Sequence, residues 1–483
     1  MHLHISQAAK SGLTSFLAPV LLLLLWAALS LPADAQRGRP LVLDFPLELY
    51  GEDLQHTPCD TFGLCVFHTS SKNDSCQFEL LHYDCNLEQT GQTRLLFAPE
   101  TYLEAACYGD GELVILFQYK EKKKKTGSGI ILIYDCSKKQ VDTLSVDGLA
   151  AGSVSRMSHN KELTLFSATR ANNKHKDLYY LSKGATHAQR LNIPDVVDYQ
   201  IEDFGIDTSQ RHVLAALRST VNNQTMIWLC ETDYRQNILF TSDLPDTLGH
   251  RCESLRMLPL DSSQWFLAGI YESRANNVTM GVYTLPYHDM QFDSLSLHPY
   301  TTASIVTPNN GQYFHTGGKI SYDTNGIVFI TETLYPEYHD RPVYNYGVMT
   351  YEQTFNGYRY TSADVFVFQP DGTETWYYNF PYDNILSQQL GSYLNFSFLQ
   401  DRYLLYYVRG NELVTMLTNS NDEIIDSKRT SSLFPASANS PFTYNGTQMK
   451  QWYGGYYLLS GQRRSSRSSL GSSKYFIHKL WYR

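Results

Sequence analysis

The chain has 483 residues, of which 42% are hydrophobic and 18% charged, and a formal net charge of -9. This composition is typical of a folded protein with a sizeable core and excludes disorder as the main state. The acidic balance argues against nucleic acid as a partner of the whole protein.

The first 35 residues predict an export signal. Lys10 precedes an apolar run from Phe16 to Leu31, and Ala33-Asp34-Ala35 forms an A-x-A cleavage site. The run is shorter than the ~20 residues of a membrane span. We therefore expect cleavage near Ala35, a mature chain without a transmembrane segment, and a secreted, periplasmic or cell-surface location. An uncleaved anchor is the alternative.

All eight cysteines follow this segment, and six of them lie between residues 59 and 136. An even count in an exported chain permits disulfide bonds, although the sequence does not show which cysteines pair. No CxxC pair and no histidine pair at ligand spacing accompanies the cysteines. We therefore expect no metal site, and we expect no other cofactor.

Short runs rich in Val, Ile, Leu, Tyr and Phe recur along the rest of the chain, whereas helical spacing is nearly absent. The strongest runs start near Phe62, Leu113, Leu163, His212, Trp265, Ile327, Tyr403 and Tyr456. Five of the seven spacings are 49 to 53 residues, and the others are 62 and 76. A second run follows each of these after a polar loop, and weaker strands flank each pair. The chain is therefore predicted to be all-β, with four strands in each unit.

Units of four antiparallel strands at this spacing are typical of propeller blades, because each small sheet buries both faces by stacking on its neighbours. We expect a single domain over residues 36–483 with about eight blades, or seven if the first unit lacks an inner strand. A stack of two-sheet sandwiches is the alternative.

One segment carries a family resemblance. Asp364 to Phe380 (DVFVFQPDGTETWYYNF) reads as a strand, a D-G turn and a Trp-bearing strand. It resembles the β-propeller superfamily and, more loosely, uncharacterised exported bacterial propellers. Asp371 to Trp376 is also similar to the Asp-box of sialidases, but its spacing departs from that motif. We interpret it as a β-turn that leads into a packed Trp376, and sialidase activity does not carry over.

The last unit ends at Arg483 after its third strand. The early strand from Pro40 to Phe45 belongs to no complete unit, so we expect it to supply the missing outer strand of the last blade. Such pairing would cover an open sheet edge and join the two ends of the domain.

The loops between the second and third strands should all lie on one side of the ring, and several are basic. These basic residues include Lys122, Lys123, Lys124, Lys125, Arg218, Arg274, Arg463 and Arg464. Together they would form a rim that attracts phosphate, sulfate or carboxylate groups. The alternative is that they only keep solvated hairpin tips soluble.

The sixth unit carries an insertion, residues 333–362, between its second and third strands. The insertion is dense in tyrosine and contains Tyr335, Tyr338, Tyr344 and Tyr346. Tyrosine offers a ring for stacking and a hydroxyl for hydrogen bonding, which suits a sugar or a protein partner. We expect the insertion to cover the basic side of the ring. The alternative is a local hairpin whose rings pack against one another.

Catalytic motifs such as GxSxG, HExxH and the phosphate-binding loop do not occur. Glu104, Glu202 and Glu253 lie near strand starts, and we expect them to be solvated. The sequence thus predicts an exported binding or scaffolding module for a glycan, an anionic polymer or a protein partner. The alternative is a glycan-cleaving enzyme on the same fold, which would use paired carboxylates near a central channel.

Overall fold

The computed structural model describes residues 41–481 with short gaps. The gaps are residues 51–52, 73, 120–125, 151–152, 170–174, 195, 197, 222–223, 246–249, 261–263, 275–278, 301–313, 317, 324–325, 346–347, 400–401, 420–422, 434–441 and 466–472. The predicted signal segment lies outside the described residues, so export stays a prediction. No helix of the described part has the length and apolarity that a membrane crossing requires.

The strands form eight antiparallel sheets, one for each predicted blade. The chain enters through β1 (Leu41–Pro46) and a short helix α1 (Leu47–Tyr50). Blade 1 is β2 (Gln55–Pro58), β3 (Leu64–Lys72), β4 (Ser75–Tyr83) and β5 (Gln89–Phe97). Blade 2 is β6 (Thr101–Gly109), β7 (Glu112–Tyr119), β8 (Thr126–Asp135) and β9 (Gln140–Ala150). Blade 3 is β10 (Val154–His159), β11 (Leu163–Thr169), β12 (Lys176–Ser182) and β13 (Gln189–Arg190). Blade 4 is β14 (Tyr199–Asp207), β15 (His212–Val221), β16 (Gln224–Asp233) and β17 (Ile238–Asp243).

Blades 5 and 6 have inner strands that are split in two. Blade 5 is β18 (His250–Cys252), β19 (Arg256–Pro259), β20 (Gln264–Ser273), β21 (Thr279–His288), β22 (Gln291–Phe292) and β23 (Ser296–Pro299). Blade 6 is β24 (Phe314–His315), β25 (Lys319–Asp323), β26 (Gly326–Asn345), β27 (Val348–Phe368) and β28 (Glu374–Ser387). Blade 7 is β29 (Asn395–Leu399), β30 (Arg402–Arg409), β31 (Glu412–Asn419) and β32 (Ile424–Ser432). Blade 8 is β33 (Phe442–Gln451), β34 (Tyr456–Ser465) and β35 (Ser473–Trp481), completed by β1.

The predicted closure is confirmed. Strand β1 pairs antiparallel with β35, from Leu41 opposite Lys479 to Pro46 opposite Lys474. Phe45 of β1 is only 3% exposed and contacts the ring of Tyr83 in blade 1, at 6.2 Å between centroids. The closing strand therefore joins blade 8 to blade 1. Because β2 supplies the inner strand of blade 1, the count is eight blades.

The core lies between blades, and alternate residues of one strand face opposite neighbours. Leu113, Ile115 and Phe117 of β7 pack with blade 1, whereas Val114 and Leu116 pack with blade 3. This two-sided burial explains why the middle strands read as continuous apolar runs. The Trp376 side chain is buried between blades 6 and 7, as the interpretation of its turn predicted.

The inner strands carry β-bulges at corresponding positions. The register shifts at Glu104 in β6, at Ser155 in β10 and at Glu202 in β14. In blade 5, Glu253 lies in the break between β18 and β19. A bulge leaves its residue outside the regular ladder and redirects the side chain, so these positions are free to reach the next blade.

Candidate functional site

Arginines and glutamates converge at the inner strands of blades 4 and 5. The guanidinium of Arg218 lies 3.2 Å from a carboxylate oxygen of Glu202 and 3.2 Å from one of Glu253. Glu202 also contacts Arg256 at 3.4 Å, and Glu253 contacts Arg251 at 3.5 Å. The sequence assigned Arg218 to an exposed loop tip, and this was wrong. Arg218 lies within β15, and its side chain is 21% exposed because it reaches inward to these carboxylates.

The glutamates at the bulges link successive blades. Glu104 accepts a hydrogen bond of 2.6 Å from the backbone N–H of Val154 in blade 3, and burial raises the pKa of this glutamate. Glu202 reaches Arg256 of blade 5. The expectation that Glu104, Glu202 and Glu253 are solvated was therefore wrong. Each carboxylate is already bonded, so the group resembles a structural ion network more than the acid–base pair of a glycosidase.

Two lysines and a histidine from other blades form a second, basic group. Lys319 of β25 donates a 2.8 Å hydrogen bond to the Asn395 side chain of blade 7. Burial lowers the pKa of Lys319, the nearby charge of Glu332 opposes this shift, and the charge of Lys450 in β33 lowers the pKa further. Burial and the same Lys450 charge lower the pKa of His56 in β2 to about 4. Blades 6 and 8 therefore bring the two lysines within electrostatic range of each other, and His56 of blade 1, which is neutral near pH 7, lies within range of Lys450. Neither lysine forms a salt bridge with a described residue.

A polar cavity of about 820 Å³ lies next to His56 of this group. Its walls come from the end of blade 6 and from three strands of blade 8, and four of its side chains are amides. The lining residues are Ser387, Gln388, Gln389, Gly446, Gln448, Ser460, Gly461, Gln462 and Tyr475. The Tyr475 hydroxyl lies 3.0 Å from Nδ1 of His56, which connects the cavity to the basic group. Amide side chains both donate and accept hydrogen bonds, so this lining suits a ligand rich in hydroxyl groups.

The tyrosine-rich insertion forms a two-stranded ribbon, which we call the tyrosine ribbon (residues 333–362). It is the outer part of β26 and β27, paired from Thr333 opposite Ser362 to Asn345 opposite Val348. Strand alternation places six apolar or aromatic side chains on one face. These are Tyr338, Pro342, Tyr344, Met349, Tyr351 and Phe355, and the polar pair Asp340 and Gln353 lies on the same face. The opposite face is largely polar and includes Glu337, His339, Arg341, Glu352 and Thr354.

The aromatic face of the ribbon is solvent-exposed. Tyr344 is 74% and Tyr351 is 64% exposed, while the rings of Tyr338 and Phe355 pack edge to face at 5.7 Å. Among the described rings of the ribbon, ring–ring contacts join Tyr338, Phe355 and Tyr358, whereas the rings of Tyr344 and Tyr351 are exposed to a ligand. Tyr335 belongs to the opposite face by alternation.

The base of the ribbon adjoins the cavity. The Gln388 side chain, which lines the cavity, donates a 2.5 Å hydrogen bond to the carbonyl of Asn356 in the ribbon. The aromatic face continues the side of the sheet on which Tyr360 packs against Tyr393, the residue leading into blade 7. The ribbon and the cavity are therefore neighbouring parts of one surface.

The predicted basic tips are only partly described. Lys122 to Lys125 and Tyr346 lie outside the described residues. Arg463 forms an ion pair with Asp44 of the closing strand, whereas Arg464 is exposed. The basic rim therefore stays a prediction, and Arg463 serves the closure. The amide cavity was missed by sequence reasoning, since its residues come from separate units and share no motif.

The part of the chain that the structure describes is an eight-bladed β-propeller. No protein-family model and no curated protein matches the chain. Among solved structures, the chain is similar to the polysaccharide lyase Uly1, at 7% identity and a TM-score of 0.41, covering 78% of this chain and 89% of that one. It is also similar to the β-propeller domain of the Trilobed protease from Pyrococcus furiosus, at 6% identity and a TM-score of 0.38, covering 80% and 96%. Oligopeptidase B from Leishmania major matches at 6% identity and a TM-score of 0.39, covering 86% and 54%. At these values the likenesses assign no function.

Proposed function

We propose that the protein is an exported glycan-binding module whose ligand is an acidic polysaccharide. The observation that carries the proposal is the junction of an amide-lined cavity with an exposed aromatic ribbon through the bond between Gln388 and Asn356. Amides hydrogen-bond to sugar hydroxyls, while aromatic rings stack on the apolar faces of sugar rings. A chain that enters the cavity would continue along the ribbon.

The basic group supports an acidic ligand over a neutral one. Lys450 lies in the same strand, β33, as the cavity-lining residue Gln448, and its charge acts on both His56 and Lys319. Neither lysine forms a salt bridge with a described residue, although the charge of Glu332 acts on Lys319. In a protein of net charge -9, such a local concentration of cations favours a carboxylate or sulfate group and raises its association rate at low salt.

A glycan array followed by calorimetry with acidic oligosaccharides tests the proposal. We expect Lys450→Met to weaken binding and to reduce its salt dependence, because one cation is lost. We expect Tyr344→Ala to weaken binding about 2- to 10-fold, the range for loss of one aromatic contact. His339→Ala, on the polar face of the same strand, is the matched control and should bind like the unaltered protein.

Three results would contradict the proposal: no acidic glycan bound, equal binding of acidic and neutral chains, or equal losses for Tyr344→Ala and His339→Ala. Mass spectrometry of the oligosaccharide after incubation distinguishes binding from cleavage. Shortened products would favour the enzyme alternative.

The basic rim requires a separate experiment. Replacing Lys122 to Lys125 by glutamate should lower retention of the folded protein on an anionic column, with a weaker salt dependence. Equal retention of the two proteins would contradict the basic rim as a binding surface and would leave the proposal for the cavity unchanged.

A further inference from the structure

Three cysteines from two blades meet in the core between blades 1 and 2. Cys59 follows β2, Cys65 lies in β3, and Cys136 follows β8. Their sulfur atoms all lie within 4.8 Å of one another, and the residues are at most 2% exposed. Within the described residues, no other group of three or more potential metal ligands converges in this way. None of the eight cysteines, which all lie among the described residues, forms a disulfide bond here, so disulfide bonding stays a prediction.

One tight turn brings Cys59 and Cys65 together. The 3-10 turn Asp60–Phe62 between them is closed by a 2.8 Å hydrogen bond from the N–H of Cys59 to the carbonyl of Gly63. Gly63 has a φ of +119°, and a Cβ atom there would lie 2.0 Å from the carbonyl oxygen of Tyr83. Only glycine allows the backbone to approach Tyr83 this closely, and the resulting turn places the sulfurs of Cys59 and Cys65 beneath its exposed residues.

Cys136 reaches the same point from blade 2. It ends the sequence Tyr134-Asp135-Cys136, which recurs as Tyr83-Asp84-Cys85 after β4. Cys85 occupies the matching position one blade earlier but lies beside blade 8, where its carbonyl accepts a 2.6 Å hydrogen bond from Lys479. Cys85 therefore provides a matched control for Cys136.

His82 of β4 lies beside the cluster, between the Tyr134 hydroxyl and the 3-10 turn. The ring nitrogens of His82 lie 2.8 Å from the Tyr134 hydroxyl and 2.9 Å from the Phe62 carbonyl. Because both nitrogens are engaged, His82 supports the cluster and is not a ligand.

The donor set is three sulfurs without a fourth ligand among the described residues. Thiolate ligands select soft ions such as Cu(I) and Zn(II), and structural zinc almost always takes four ligands. Metal–sulfur bonds of ~2.3 Å around a three-coordinate ion place the sulfurs about 4 Å apart, which the present separation allows with little movement. A disulfide would require two of them to approach to ~2.05 Å. We propose that Cys59, Cys65 and Cys136 form a trigonal three-thiolate site for Cu(I).

Binding of the ion changes no oxidation state. Each sulfur donates an electron pair to Cu(I), and the protons of those thiols that were protonated pass to solvent. Loading should therefore be favoured by higher pH and opposed by acid. The ion would cross-link blades 1 and 2 and would stabilise the folded chain in proportion to its affinity.

The test is a titration of the reduced full chain with Cu(I) under argon, in competition with a bathocuproine chelator, followed by copper X-ray absorption spectroscopy. We expect one Cu(I) per chain with three sulfur neighbours. Cys59→Ser, Cys65→Ser and Cys136→Ser should each weaken binding by more than the ~10- to 100-fold typical of altering a residue that only supports a ligand. Cys85→Ser should bind like the unaltered chain.

Absence of stoichiometric Cu(I) would overturn the proposal, as would fewer than three sulfur neighbours or displacement of the ion by Zn(II). A disulfide between any two of the three cysteines in the purified protein would also overturn it. The spectrum of the unaltered chain decides the question even if a serine variant fails to fold.

Discussion

The closing strand offers the sharpest test of the fold. Phe45 is the most buried described side chain of β1, and it packs against Tyr50 and Tyr83 of the adjoining helix and blade. Replacing it by alanine removes a buried ring, which costs about 3–5 kcal/mol in well-packed cores. Because β1 joins the last blade to the first, we expect much of this loss to appear as opening between blades 8 and 1.

Hydrogen exchange measured by mass spectrometry reports this opening directly. At 1.4 kcal/mol per factor of ten, Phe45→Ala should speed exchange in residues 473–481 of β35 by about 10² to 10³-fold. Urea unfolding of the same variant gives the global change in stability. Val42→Ala is the matched control, because Val42 belongs to the same strand and is 38% exposed.

Two results would refute this reasoning. The first is an unchanged exchange rate of residues 473–481 in Phe45→Ala, which would mean that Phe45 does not hold blades 8 and 1 together. The second is an equal acceleration in Val42→Ala, which would assign the effect to strand pairing alone and not to the buried ring. Deleting residues 39–45 should give a larger effect than either substitution, since all the pairing of those residues with β35 is then lost.

Two further predictions concern charges. Arg218→Met leaves the carboxylates of Glu202 and Glu253 without their shared partner, and urea unfolding should show a loss of about 2–4 kcal/mol. Burial lowers the pKa of His315 to about 4, so the unfolded chain binds more protons between pH 4 and 6.5. The contribution of neutral His315 to the free energy of unfolding is therefore complete above pH 6.5 and is lost progressively as the pH falls toward 4. His315→Asn should reduce the slope of unfolding free energy against pH in this range by about 1.4 kcal/mol per pH unit.

The blade repeat and the closure were predictable because they depend on local signals. Runs such as Leu113–Tyr119 are apolar on both faces, which indicates a strand covered on both sides. The strand from Pro40 to Phe45 was surplus to the first unit, while the last unit lacked one strand. Counting strands was therefore enough to pair the two ends of the domain.

The site was not predictable because its residues converge from different blades. Arg218 reads as a residue near a hairpin tip, and the sequence does not show that the bulge at Glu202 turns a carboxylate toward it. The three cysteines are separated by up to 77 residues (136 − 59), so no spacing rule for metal ligands applies. The recurrence of Tyr-Asp-Cys marks an equivalent turn in two blades, but it does not show which neighbour each cysteine meets.

The closure and the proposed ligand site are physically coupled. Tyr475, which lines the cavity, lies in β35 directly opposite Phe45 of the closing strand. Gln462 lines the same cavity and pairs with Tyr475 across β34 and β35. Loss of β1 would make β35 an edge strand, and Tyr475 would lose its backbone pairing with Phe45. Phe45→Ala should therefore weaken glycan binding although Phe45 does not line the cavity, whereas Val42→Ala should leave binding unchanged.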